Sequence, residues 1–121
     1  MARILLIEDD PDIADNAIVF LEHKEHDVVH VSKGMDGLEQ MRFGEFDLVI
    51  LDGNLPDMDG LDVCKSYREE GGILPIIMAS GRASQQEKRQ AASAGANAYI
   101  VKPYSLKDLQ DEIESLISSK N

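Results

Sequence analysis

Five short runs rich in apolar and β-branched residues recur along a chain of 121 residues: Ile4 to Ile7, Val28 to Val31, Leu48 to Leu51, Ile76 to Met78 and the weaker Tyr99 to Val101. Most are continuous, without polar alternation, which is the pattern of strands covered on both faces of a parallel sheet. Parallel neighbours need a crossover of a dozen or more residues, and every gap here is long enough to hold one. Two gaps carry helical periodicity directly. Ile13, Ala14, Ala17, Ile18 and Leu21 share one face, as do Leu106, Leu109, Ile113, Leu116 and Ile117. Asp10-Pro11 reads as a helix N-cap followed by proline at the first helical position, and Ser105 with Asp108 resembles a capping box. Gly95 ends an Ala-rich helix and Gly71-Gly72 marks a loop. These signals predict one domain over residues 1–121, an alternating (βα)₅ chain folded as a doubly wound α/β sandwich. Ser118 to Asn121 reads as a fraying tail with no further domain behind it.

Charge narrows the partners. The formal charge is −11 at pH 7, with no Lys/Arg cluster to override it, so the chain is expected not to bind nucleic acid. Cations and basic protein surfaces suit it better. The single cysteine, Cys64, cannot form an internal disulfide and reads as a buried inert thiol. No apolar run is long enough for a bilayer and no leader pattern opens the chain, which points to a cytoplasmic protein without a membrane partner.

In open α/β sheets ligands bind beyond the carboxyl ends of the strands. The residues following the apolar runs are Glu8 and Asp9, then Asp52, Ser80 and Lys102; the second run alone ends without chemistry. Three carboxylates, a hydroxyl and an ammonium therefore converge on one edge. Two carboxylates about 5 Å apart repel by roughly 3 kcal/mol at an effective dielectric near 20, so solvent, a helix N-terminus or a cation is expected to offset them. Mg²⁺ takes one or two carboxylates and shares phosphate oxygens. Asp9, Asp52 and a main-chain carbonyl after Asp52 suit it, with Asp52 as a carboxylate nucleophile toward a phosphoryl group. Lys102 and Ser80 are then placed to hold phosphoryl oxygens. Asp10 needs no metal, because capping the helix at Pro11 accounts for its charge.

The stretches L-L-I-E-D-D-P, D-L-V-I-L-D-G-N-L-P-D-M-D-G, M-A-S and V-K-P, in register over essentially the whole chain, resemble the receiver domains of two-component response regulators. The resemblance implies a flavodoxin-like sheet of order 2-1-3-4-5. It implies that Asp52 is the phosphoacceptor, that Asp9 ligates Mg²⁺ directly and Glu8 through metal-bound water, and that Asn54 offers its main-chain oxygen. It gives Ser80 and Tyr99 the switch positions, Lys102 the pairing with the phosphoryl group, and a cis bond to Lys102-Pro103. The function so implied is that of a phosphorylation-driven switch rather than an enzyme. It takes phosphoryl from a histidine kinase or histidine phosphotransfer protein and repacks its protein-binding surface for a downstream effector, with phosphorylation-dependent homodimerisation left open.

Plainer readings stand beside these. Ser80 before Gly81 is ordinary turn chemistry, and Tyr99 can be a half-buried strand aromatic. Asp57 and Asp59 read as turn residues that start the helix near Gly60. His23, His26 and His30 cannot share a helical face, which argues against a metal site there. Glu8 replaces the family's Asp, and Ser80 lacks the methyl of Thr. Arg82, two residues on, is expected to tune phosphoryl lifetime together with Asn54. A Mg²⁺-dependent phosphohydrolase would want an acid where Asn54 stands. A flavin module would want a phosphate loop where Glu8-Asp9-Asp10 repel phosphate. A receiver used only for docking remains a further alternative.

Overall fold

The computed structural model describes residues 1–118; part of the tail singled out above, residues 119–121, lies outside them. Ten elements alternate: β1 (Arg3–Ile7), α1 (Pro11–His23), β2 (Asp27–Val31), α2 (Gly34–Phe43), β3 (Leu48–Asp52), α3 (Gly60–Glu69), β4 (Ile76–Ser80), α4 (Gln85–Ala94), β5 (Ala98–Val101) and α5 (Leu106–Ser118). The five strands are all parallel, in the order β2-β1-β3-β4-β5. That order puts β1 beside β3 with Ile7 opposite Leu51, so the residues leaving these two strands emerge together.

Strand alternation divides the apolar side chains between two cores. Leu5, Ile7, Val49, Leu51, Ile76 and Met78 face α2, α3 and α4. Ile4, Leu6, Leu48, Ile50, Ile77 and Ala79 face α1 and α5. Each fully buried Leu or Ile contributes about 1.5–3 kcal/mol, which explains why the central strands β3 and β4 are buried at every position. Both strands run further than the apolar pattern indicated. Asp52 and Ser80 are the last residues of β3 and β4 rather than the first beyond them, because Asp52 is still paired with Ala79 and Ser80 with Val101.

The caps read from the sequence are present, and others join them. Asp10 accepts from the N–H groups of Asp12 and Ile13 at 2.9 and 3.2 Å, and Ser105 Oγ accepts from Asp108 at 2.9 Å. Gly95 ends α4 at φ 111, a left-handed conformation that glycine adopts without strain. Asp59 caps α3 by accepting from Leu61. At α2, however, Lys33 stands at the N-cap with no capping side chain, and Asp57 from the β3–α3 loop does the work instead. Its two oxygens accept from Gly34 and Met35 at 2.7 and 3.0 Å. These bonds hold the Asp57 carboxyl below its usual range, those from Met35 and Gly34 foremost.

Candidate functional site

The carboxyl edge of the sheet gathers Glu8, Asp9 and Asp52, with an oxygen from each lying within 4.8 Å of the others. Glu8 and Asp52 are 2% and 4% exposed, while Asp9 faces solvent. Lys102, delivered by the end of β5 and followed by a cis bond to Pro103, reaches into the group. Its Nζ lies 2.7 Å from Glu8 Oε1 and 3.2 Å from Asp52 Oδ1. Sequence reasoning looked to a metal to reconcile the acids. The structure adds a cation of the chain itself, bridging the two buried carboxylates and leaving the exposed Asp9 without such a partner among the described residues. Backbone donors complete the arrangement, with Asp10 N–H to Glu8 Oε2 at 3.1 Å and Asn54 N–H to Asp52 Oδ1 at 3.0 Å.

Electrostatics follows from this placement. Asp9 is raised above the ordinary carboxyl value, chiefly because it faces the Asp52 carboxylate. Asp52 is raised by burial, with the Asn54 N–H pulling the other way and Glu8 adding to the rise. Burial disfavours the Lys102 ammonium, but Glu8 and Asp52 outweigh it, so its pKa is raised and the charge retained. The cluster is thus an anionic pocket with an oxygen-rich opening at Asp9, suited to a hard divalent cation.

Around it stand the remaining residues singled out from the sequence. Asn54 follows Asp52 by two positions, in the loop where Gly60 N–H returns to Gly53 O at 3.0 Å. A Cβ on Gly60 would stand 2.3 Å from Asp52 O, so only glycine lets α3 begin this close to β3. Ser80 is buried, and its Oγ accepts from Arg82 N–H at 3.2 Å. Tyr99 lies away from the carboxylates and donates its hydroxyl to Arg82 O at 2.5 Å. The Arg82 guanidinium sits 3.9 Å from Asp59 and 3.6 Å from Glu87. Arg82 therefore joins Ser80, Tyr99, the β3–α3 loop and α4.

The histidines form no joint site. His26 Nδ1 accepts from Ala2 N–H at 3.1 Å, while His30 Nε2 pairs with Glu8 O at 2.8 Å. That second contact ties the edge strand to the site, and nothing in the run Val28 to Val31 signalled it. Cys64 is fully buried, its thiol against Ala94 O and pushed up by desolvation. A groove of about 690 Å³ opens beside the cluster, lined by Ile13, Val19, Phe20, Pro103, Tyr104 and Lys102 among others. The Tyr104 hydroxyl, buried and without a hydrogen-bond partner, is pushed up to about 12 by burial and by the charges of Glu8 and Asp52. Such an unmet donor costs about 1–3 kcal/mol.

The family model described as the response regulator receiver domain matches residues 4–114. This chain belongs to that family. Among curated relatives, the transcriptional regulatory protein CiaR of Streptococcus pneumoniae is 34% identical over 117 residues, covering 97% of this chain and 52% of CiaR. This receiver thus spans about half the length of the curated relatives it matches. Among solved structures, a CheY-like receiver domain protein from Methanospirillum hungatei superposes with a TM-score of 0.90 at 31% identity, covering 98% of this chain and 95% of that one. The receiver domain of a sensor histidine kinase from Pseudomonas aeruginosa, solved with a magnesium ion coordinated in its active-site cleft, gives 0.87 at 28% identity, over 97% and 98% of the two chains. The chain is accordingly a receiver domain of two-component response regulators, with the expected fold and strand order. Among its described residues no helix is long and apolar enough to cross a membrane.

Proposed function

We propose that this receiver accepts a phosphoryl group on Asp52 from a phosphohistidine of a kinase or phosphotransfer protein. One observation carries the reading: Asp52 is a buried carboxylate held between an ammonium at 3.2 Å and two further acids whose oxygens lie within 4.8 Å. A structural ion pair has no use for the third acid, Asp9, whose presence raises the energy of the set. A site that takes Mg²⁺ and phosphate does. Glu8, Asp9 and Asp52, with the main-chain oxygen of Asn54, fit the oxygen donor set of Mg²⁺, which when bound offsets the charge on an incoming phosphate. Asp52 Oδ then attacks phosphorus, the bond to the histidine nitrogen breaks, and the imidazole leaves with its electron pair. Lys102 and Ser80 hold the transferred oxygens.

The new charge of about −2 draws the Ser80 hydroxyl away from Arg82 N–H, and Tyr99 follows as its anchor on Arg82 O shifts. Phosphorylation thereby biases states already accessible to the chain. Arg82, two residues after Ser80, and Asn54, two after Asp52, set its lifetime. The apolar groove running from α1 to Lys102 supports a protein donor that docks beside the acceptor. Phosphoryl transfer from such a donor suits a signalling switch of the cytoplasm. Incubation with acetyl phosphate and Mg²⁺, followed by mass spectrometry, is expected to give one phosphoryl adduct that Asp52→Asn lacks. An adduct persisting in Asp52→Asn, or none in the parent chain, refutes the assignment.

A further inference from the structure

β2 lies at an edge of the sheet, and its run Val28 to Val31 is apolar except at His30. Strand alternation puts His30 on the face of Val28, toward α1 and α5, in register with Leu6 of β1. An aliphatic side chain there would pack with no polar group to satisfy. His30 instead reaches past its register partner to the main-chain oxygen of Glu8, its Nε2 at 2.8 Å. A carbonyl only accepts, so Nε2 carries the hydrogen and donates it.

The bond falls where the sheet gives out. Glu8 N–H to Val31 O at 3.0 Å is the last rung between β1 and β2, and β2 ends at Val31. Among the described residues no backbone N–H meets Glu8 O, and the imidazole supplies the missing donor. That oxygen belongs to the peptide joining Glu8 to Asp9. The unit is planar, so fixing its oxygen also fixes its N–H and the direction in which Asp9 leaves the strand. Asp9 lies beyond β1 and faces solvent, yet its carboxylate stands within 4.8 Å of those of Glu8 and Asp52. Mg²⁺ demands a near-ideal octahedron, whereas Ca²⁺ accepts varied geometries. We propose that His30 is a positioning residue of the cation site, holding the Glu8–Asp9 peptide so that the Asp9 carboxylate meets the stricter demand of Mg²⁺. The inference rests on the cation site of the proposed function and adds to it the group that sets its geometry. His30 itself touches neither cation nor phosphate.

The test compares His30→Phe, a ring without the donor, with His30→Gln, whose amide nitrogen lies as many bonds from Cβ as Nε2 does. Each folded chain is titrated with Mg²⁺ and with Ca²⁺, followed by the Asp9 and Asp10 amide signals in NMR, and thermal unfolding is measured alongside. His30→Phe is expected to lose roughly tenfold in Mg²⁺ affinity, the scale of removing a bond that orients a metal ligand, and about threefold or less for Ca²⁺. His30→Gln should recover the Mg²⁺ affinity of the parent. A merely structural histidine would lower the unfolding temperature and leave both affinities unchanged. Equal Mg²⁺ affinity in His30→Phe and parent overturns the proposal. So does an equal loss for both cations, or a His30→Gln no better than His30→Phe. His30→Leu replaces His30→Phe should the larger ring prevent folding. In the free parent, nitrogen NMR should find the His30 hydrogen on Nε2 in slow exchange, and a hydrogen on Nδ1 alone overturns the proposal whatever the variants do. A parent that binds no Mg²⁺ defeats the cation site and this inference together. One that binds Mg²⁺ but takes no phosphoryl group from acetyl phosphate defeats the role of Asp52 and not that of His30.

Discussion

Neutralising Asp9 should make the protein more stable while abolishing its response to magnesium. The oxygens of Asp9 and Asp52 lie within 4.8 Å of one another, which at an effective dielectric near 20 is a repulsion of about 3 kcal/mol. Asp9 is exposed, so solvent screening reduces that to about 1 kcal/mol. For a domain of this size, 1 kcal/mol moves the unfolding midpoint by roughly 4 °C. Asp9→Asn is therefore expected to unfold about 4 °C higher than the parent in EDTA. Adding Mg²⁺ at ten times its dissociation constant should stabilise the parent by about 1.4 kcal/mol and leave Asp9→Asn unmoved. A pH series adds an independent check. The native pKa of Asp9 lies above its ordinary value of 3.8, so the folded chain binds that proton more readily than the unfolded one. The Asp9 contribution to stability thus rises as pH falls through the raised native pKa toward 3.8, and it is absent in Asp9→Asn. Thermal unfolding by circular dichroism reads all three. An Asp9→Asn protein that is less stable in EDTA, or that still gains from Mg²⁺, would show that the carboxylates are not jointly arranged around a cation.

Lys102→Met removes the cation between two buried carboxylates and should cost about 3 kcal/mol in urea unfolding, with part of the loss recovered by Mg²⁺; an unchanged midpoint would contradict the bridging pair. Asp57→Ala should cost about 1 kcal/mol by uncapping α2, and amide exchange should quicken at Gly34 and Met35 before it does elsewhere. Because the Asp57 carboxyl is held below 3.8, its contribution is present above that pH and lost as pH falls through the lowered native value. Gly60→Ala forces a Cβ against the Asp52 carbonyl, so it should lower stability and weaken Mg²⁺ binding together, as titration and thermal unfolding would reveal.

Much of this architecture is legible in the residues, for identifiable reasons. Five apolar runs with crossover-length gaps leave little besides a parallel α/β sandwich, and Asp10, Ser105 and Gly95 mark helix ends through local bonds that a sequence carries openly. The sheet order was accessible through family resemblance alone, since hydrophobic pattern does not say which strand lies beside β1. What stayed hidden depends on distant pairs. Asp57 caps a helix that begins 23 residues earlier, and His30 reaches Glu8 across a neighbouring strand. The reach of Lys102 to Glu8 is the largest such case. The sequence placed both residues at one edge, but only coordinates show that the lysine already bridges the two buried acids and leaves Asp9 to await another partner. Tyr104 went unremarked in the sequence, and its buried, unmatched hydroxyl shows only in the coordinates.

The double hydrogen bond from Asp57 to the start of α2 makes the segment behind Asp52 a strut rather than a free loop. Anything that tugs on that segment must either carry the second helix along or unpick its opening turn. A disturbance at Asp52 can therefore be felt at α2, on the same face of the sheet as Tyr99 but beside β1 rather than β5, giving the molecule a second shoulder through which a bound neighbour senses a change at that aspartate.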